Sequence, residues 1–90
     1  MSDVVNNTGE SRYEMPVDGH KAILVYRRDG PVLHLVHTEV PEELEGRGLA
    51  SKLVQGALDD IRARGETIVP RCSYVSAWLK RHPAYQDLVA

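Results

Sequence analysis

Glu45-Gly46-Arg47-Gly48-Leu49-Ala50 stands where the sequence changes its period. Before this run apolar residues recur at every second position, and after it they recur at three and four. Downstream, Leu49, Leu53, Ala57 and Ile61, flanked by Ala50, Val54 and Leu58, form the stripe of an amphipathic helix from about Gly48 to Arg64. Gly65 is a natural stop, with Arg62 and Arg64 at the negative end of the helix dipole. A helix start carries N–H groups without intrahelical partners and favours anions, and glycine lets the backbone approach a ligand. Gly46 and Gly48 therefore suit a loop that wraps a phosphate, with Arg47 and Lys52 as added charge. An ordinary flexible turn feeding a helix would carry the same glycines.

Upstream, the alternation predicts three strands joined by tight turns. Tyr13, Met15 and Val17 repeat by twos before the Asp18-Gly19 turn. His20 to Arg28 follows, then Asp29-Gly30, then a strand within Pro31 to Val40 that Pro41 ends. Residues 1–9 are polar and turn-prone, which predicts a flexible segment or a short edge strand ahead of one domain over 10–90. Beyond the helix, Thr67-Ile68-Val69 predicts a short strand laid parallel to the meander through a helical crossover. Ser73 is the expected N-cap of a last helix running through Arg81, before Pro83. The predicted class is α/β (α+β), an antiparallel meander followed by α-β-α, in the order β-β-β-α-β-α.

Composition narrows the functions. With 42% hydrophobic residues in 90, the chain has enough apolar surface for one core and too little length for two. The formal charge of -2, with both signs interspersed, argues against a nucleic-acid or lipid-surface partner. The single cysteine, Cys72, excludes an intrachain disulfide. With no basic, apolar leader at the N-terminus and no apolar stretch of spanning length, the expectation is a cytoplasmic protein, monomeric or weakly dimeric.

Several side chains carry chemistry. Cys72, between the fourth predicted strand and the second helix, is either a nucleophile favoured by the helix N-terminus or a small buried apolar residue. His37 and Glu39 alternate onto one face near the end of the third strand, where they could take a proton from a substrate or simply face solvent. Tyr74 and Trp78, four apart, share a helix face and either pack on the sheet or line a ligand path. His34 and His37 form His-x-x-His, but their odd spacing on a strand predicts opposite faces, so no metal site is expected. Lys80, Arg81 and His82 either meet a phosphate or complement the helix dipole.

The run Glu45 to Ala50 resembles the pyrophosphate loop of GNAT-fold acetyltransferases, whose pattern is Gln or Arg, two variable residues, Gly, one variable residue, then Gly or Ala. Gly48 and Ala50 fit, while Glu45 puts a carboxylate where the family has an amide or guanidinium. Together with Val17-Asp18-Gly19, His37-Thr38-Glu39-Val40-Pro41 and Arg81-His82-Pro83, most of the chain resembles small single-domain GNAT-like proteins of the YjdJ-like type. The resemblance implies a minimal GNAT fold with acetyl-CoA or CoA between the third and fourth predicted strands. It places the ligand against the amide of Val40, the run Gly46, Arg47, Gly48, Leu49, Ala50 and Ser51, and against Ser73, Tyr74, Trp78 and Lys80. It also implies acetyl transfer to a small-molecule or protein amine, with Cys72, Glu39 and His37 as catalytic candidates. Larger family members often carry a tyrosine acid near Trp78, a proton donor that indole cannot replace. A CoA-binding or sensing module without catalysis, or a protein-interaction domain on the same scaffold, are the alternatives.

Overall fold

A computed structural model describes residues 3–90. Five strands form one sheet in sequential order: β1 (Val5–Asn7), β2 (Arg12–Val17), β3 (His20–Asp29), β4 (Val32–Glu39) and β5 (Thr67–Pro70). The first four pair antiparallel through short turns, and β5 joins β4 in parallel after α1 (Leu49–Ala63) crosses over. A second helix, α2 (Ser73–Arg81), leads into a 3-10 turn over Pro83–Leu88. The predicted α/β order is present, extended by β1, which lies in the part of the 1–9 segment that the structure describes; residues 1 and 2 lie outside it.

Why the chain takes this form follows from its two periods. On β2, β3 and β4, Tyr13, Met15, Ala22, Leu24, Tyr26, Leu33 and Leu35 are buried on one face. The stripe of α1 meets them with Leu49, Leu53, Val54, Ala57, Leu58 and Ile61. Val75, Trp78 and Leu79 of α2 and Leu88 complete the same core. Truncating a fully buried position such as Leu53 to alanine costs about 2–5 kcal/mol, a large share of what a small domain has. Polar ties hold the helical layer in place. The Tyr13 hydroxyl donates to Asp60 at 2.8 Å, and Arg62 grips Asp87 through two hydrogen bonds of 2.9 Å. No helix among the described residues is long and apolar enough to cross a membrane.

No helix among the described residues covers the other face of the sheet. There Glu14, itself buried, accepts hydrogen bonds from Arg12 Nε at 2.6 Å and Asn7 Nδ2 at 3.0 Å, with Lys21 Nζ 3.4 Å away. One carboxylate thus stitches β1, β2 and β3. The Arg12 and Asn7 hydrogen bonds pull its pKa down to about 2, against a smaller opposing effect of burial. Because the folded-state pKa lies below that of the unfolded chain, this stabilisation is complete above the ordinary carboxylate range and is lost as pH falls towards 2. Urea melts across that window should show the midpoint falling with acidification, and Glu14→Gln should both lower the neutral-pH midpoint and flatten the acid limb. An unchanged acid limb in Glu14→Gln would assign the acid sensitivity to other carboxylates.

Candidate functional site

The register of β3 on β4 slips once. Val25 stands opposite His37, but its neighbour Tyr26 stands opposite Leu35, so Val36 is an extra residue in β4. Such a bulge reverses the alternation beyond it. Leu33 and Leu35 face the helices, and after the bulge it is Thr38, opposite Leu24, that does so. His34, opposite Arg27, and His37, opposite Val25, consequently share the open face. The expectation that their odd spacing separates them is corrected by this one residue. Among the described residues, no group of three His, Cys, Asp or Glu is placed to hold a metal.

At the same point β4 and β5 part. Their ladder runs from Val32–Thr67 to Leu35–Pro70. Pro70 has no N–H to extend it, and the amides of Arg71 and Cys72 both turn onto the Leu35 carbonyl, at 3.0 and 2.8 Å. The chain then leaves the sheet as α2, so among the described residues β4 beyond Leu35 has no strand partner on that edge. A cleft results, with the end of β4 on one side and the first turn of α2 on the other.

Cys72 sits in this cleft, half-buried, as the N-cap of α2, with Ser73 as the first helical residue. The expected Ser73 cap is thereby displaced by one position, and the reason is the extended backbone that Cys72 keeps on leaving the sheet (φ -77, ψ 129). Its sulfur lies 3.3 Å from the Thr38 hydroxyl. Burial pushes the thiol pKa up, but the Thr38 hydroxyl and the amides of Val75, Tyr74 and Thr38 outweigh it, and the net shift is down.

The glycine loop lies between the end of β4 and α1. Gly46 and Gly48 both adopt positive φ, +80° and +69°, and Gly48 is the N-cap of α1. A side chain in that conformation costs about 1–2 kcal/mol. A Cβ built on either glycine meets nothing within 4 Å, so the space over the backbone is open. Beside it is a small cavity of ≈ 140 Å³ lined by Val40, Leu44, Glu45, Gly46, Gly48, Leu49 and Ala50. Arg47 points its guanidinium to Asp18 in the β2–β3 turn, at 2.9 Å, and so ties the loop to the meander. Open backbone amides at a helix start, with an apolar wall alongside, fit a pyrophosphate and its organic chain. Glu45 is exposed and lines the same cavity, which leaves its carboxylate free to turn to water.

The other expected site residues divide. Val40 stands with the loop, and His37 and Glu39 contact each other at 3.3 Å on the open face, both exposed. Cys72 and Thr38 lie on the helix side of β4, so the three catalytic candidates flank the strand instead of forming one cluster. Trp78 is buried, donates its indole N–H to Ser51 Oγ at 2.9 Å and stacks on His82 at 3.7 Å. Trp78 and Ser51 thus join α2 to the first turn of α1. Tyr74, Ser73 and Lys80 are exposed on α2. Thr38 and Arg71 escaped the sequence reading; the signal for both was Pro70, which forbids a longer ladder.

Comparison with known proteins bears on this geometry. Residues 12–88 match the family model of the GCN5-related N-acetyl-transferases. Over 69 residues the chain is 35% identical to protein NATD1 of Gallus gallus and of Homo sapiens, spanning 76% of this chain and 63% and 61% of those proteins. The match therefore covers less than two thirds of the length of these curated relatives. The solution NMR structure of a GCN5-like protein of Staphylococcus aureus, described as a candidate N-acetyltransferase, is similar with a TM-score of 0.72 at 28% identity, covering 100% of this chain and 91% of that one.

The geometry around Cys72 makes a chemical prediction. Its alkylation by iodoacetamide, followed against pH, should have a midpoint below that of an unperturbed cysteine, and Thr38→Val should move that midpoint up and slow the reaction at neutral pH. A wild-type midpoint at or above the unperturbed value would mean that burial dominates at this sulfur.

Proposed function

The chain belongs to the GCN5-related N-acetyltransferase family, and we propose that it binds acetyl-CoA in the cleft between β4 and α2 and transfers the acetyl group to an amine. The observation that carries this reading is the parting of β4 and β5 at the Val36 bulge, followed, after the end of β4 and a 3-10 turn over Glu42–Leu44, by the positive-φ glycine loop. The two features supply the different needs of one ligand. The amides at Gly46, Gly48 and the start of α1 would hold the pyrophosphate, and the unpaired edge of β4, ending at Val40, would hydrogen-bond the extended amide-bearing arm. Tyr74 and Ser73 stand on the opposite wall.

The ligand supplies an activated acetyl thioester. For direct transfer, the amine nitrogen forms a bond to the acetyl carbon as the carbon–sulfur bond breaks, and the amine proton must leave. His37, backed by Glu39 at 3.3 Å, is the exposed pair on β4 suited to receive that proton. A β4 amide would steady the carbonyl oxygen as charge gathers there. Cys72 offers a competing route, in which the acetyl group passes first to its sulfur. The direct route is adopted because it needs one displacement and uses the paired groups on the open face.

The test is titration calorimetry with acetyl-CoA and CoA, followed by an amine screen with the best binder. Saturable binding is expected. Gly48→Val should weaken it roughly tenfold through the 1–2 kcal/mol of strain, and Arg47→Glu should weaken it by releasing Asp18 and repelling phosphate. His37→Ala should lower kcat about a hundredfold with little change in the acetyl-CoA KM, and Cys72→Ala should keep most of it. Loss of all turnover in Cys72→Ala would move the reaction onto sulfur. Binding without any product would leave a CoA-binding module, and no binding by the folded protein would sink the proposal.

A further inference from the structure

On the open face of the sheet lies a cavity of ≈ 530 Å³ that shares no lining residue with the glycine loop. Its walls are Arg27, Arg28, Asp29, His34, Val36 and Arg71. The chain has eight arginines. Five of them, Arg12, Arg28, Arg47, Arg62 and Arg64, reach a carboxylate. Of the three that reach none among the described residues, two line this cavity, Arg27 and Arg71. Arg28 is neutralised by Glu66, which leaves Asp29 as the single carboxylate in the lining.

The cations are placed by the fold. Arg27 stands opposite His34 across the β3–β4 ladder, and Arg71, leaving β5, donates its Nε to His34 Nδ1 at 3.1 Å. That hydrogen bond fixes the outer Nη groups of Arg71 beside the imidazole and, with Nδ1 accepting, leaves the neutral ring's proton on Nε2. Two guanidinium forks and an imidazole N–H around one concavity match the geometry of a carboxylate or phosphate. The cavity also adjoins the cleft: Val36 is the bulge residue, and Arg71 is followed by Cys72. His37 and Glu39 continue along β4 on the same face; His34 and His37 stand opposite Arg27 and Val25, two residues apart on β3, so they are roughly 7 Å from each other.

We infer that this cavity is an oxyanion site, and that it anchors the carboxylate or phosphate of the amine acceptor. The first half stands by itself; the second rests on the acetyl-transfer reading. An acceptor held this way carries its amine roughly 7 Å from the anionic group, the span from the cavity to His37. That is the chemistry of an ω-amino acid or an aminoalkyl phosphate of several carbons.

The experiment is an NMR titration of the full chain with inorganic phosphate and, separately, with glutarate, reading the side-chain Nε–H signals of Arg27 and Arg71 and the ring of His34. Saturable shifts are expected at these groups, and whichever probe binds tighter identifies phosphate or carboxylate as the favoured anion. Arg27→Gln with Arg71→Gln should raise the dissociation constant about tenfold or more. Arg27→Gln alone leaves the His34 contact intact and should still raise it severalfold. Lys21→Gln, which removes an equal charge from the same face, should change it less than about twofold. Absent saturation, or an equal effect of Lys21→Gln, would overturn the site in favour of a diffuse field. Acetyl-CoA titrated into the same variants separates the two proposals. Unchanged acetyl-CoA binding is expected; its loss together with phosphate binding would give the arginines to the nucleotide and overturn the acceptor assignment. Phosphate binding by a wild-type protein that binds no acetyl-CoA would keep the oxyanion site and remove the acceptor assignment with the transferase reading.

Discussion

One extra residue in β4, Val36, governs the working part of the molecule. A regular strand would have carried His37 into the core beside Leu35 and left Thr38 on the open face. The bulge instead lets Leu33 and Leu35 satisfy the core while His34, His37 and Glu39 all stay out of it. It also bends β4 away from β5 at the place where Pro70 has no N–H to follow. Burial on one side and a missing donor on the other thus produce an unpaired strand edge inside a sheet, which is costly unless something else satisfies it. Part of that edge is met by Cys72, whose sulfur faces Thr38. The rest is where a ligand's amides would be welcome.

The domain has only two layers, and its open face shows how a small protein manages without the third. Partly buried Ile23, Val25, Val36 and Val69 run down the middle of that face, flanked by charges that are matched at one end and unmatched at the other. Near β1, Glu14 is surrounded by Asn7, Arg12 and Lys21. Towards β5, Arg27 and Arg71 pair with no carboxylate among the described residues. Exposed ion pairs contribute only about 0–1 kcal/mol, so leaving Arg27 and Arg71 without a carboxylate costs the fold little. Their guanidiniums therefore keep donors open to solvent anions.

The sequence made the elements legible because their periods differ sharply. The α1 stripe and the alternation in β2 and β3 came from burial on one face each, and burial leaves a periodic trace. What was not legible arises where periodicity is broken or where distant residues meet. In β4 the step from Leu35 to Thr38 is three residues, and reading it as regular alternation put His34 and His37 on opposite faces. Ser73 was the better cap by residue type, yet the path out of β5 gave the position to Cys72. Trp78 looked equally suited to core or cleft; only the position of Ser51, 27 residues away, decides that its N–H is spent inside. The Arg27–Arg71 cavity needs a strand pairing, a bulge and a strand end together, none of which is local.

Rigidity on both sides of the cleft bears on how such a short chain could bind tightly. The glycine loop is moored to the β2–β3 turn through Arg47 and Asp18, and α2 is moored to α1 through Trp78 and Ser51. The first tie is exposed and weak, of the order of 1 kcal/mol or less, so a phosphate could draw Arg47 from Asp18 at little cost. The second is part-buried and braced by stacking of the buried Trp78 on His82 and an edge contact with Tyr85, so α2 should hold its place whether or not the cleft is filled. An entering ligand would then meet one wall that adapts and one that does not. Preorganising the α2 wall limits the ordering penalty on binding, while the loop keeps enough freedom to close its amides on the anion.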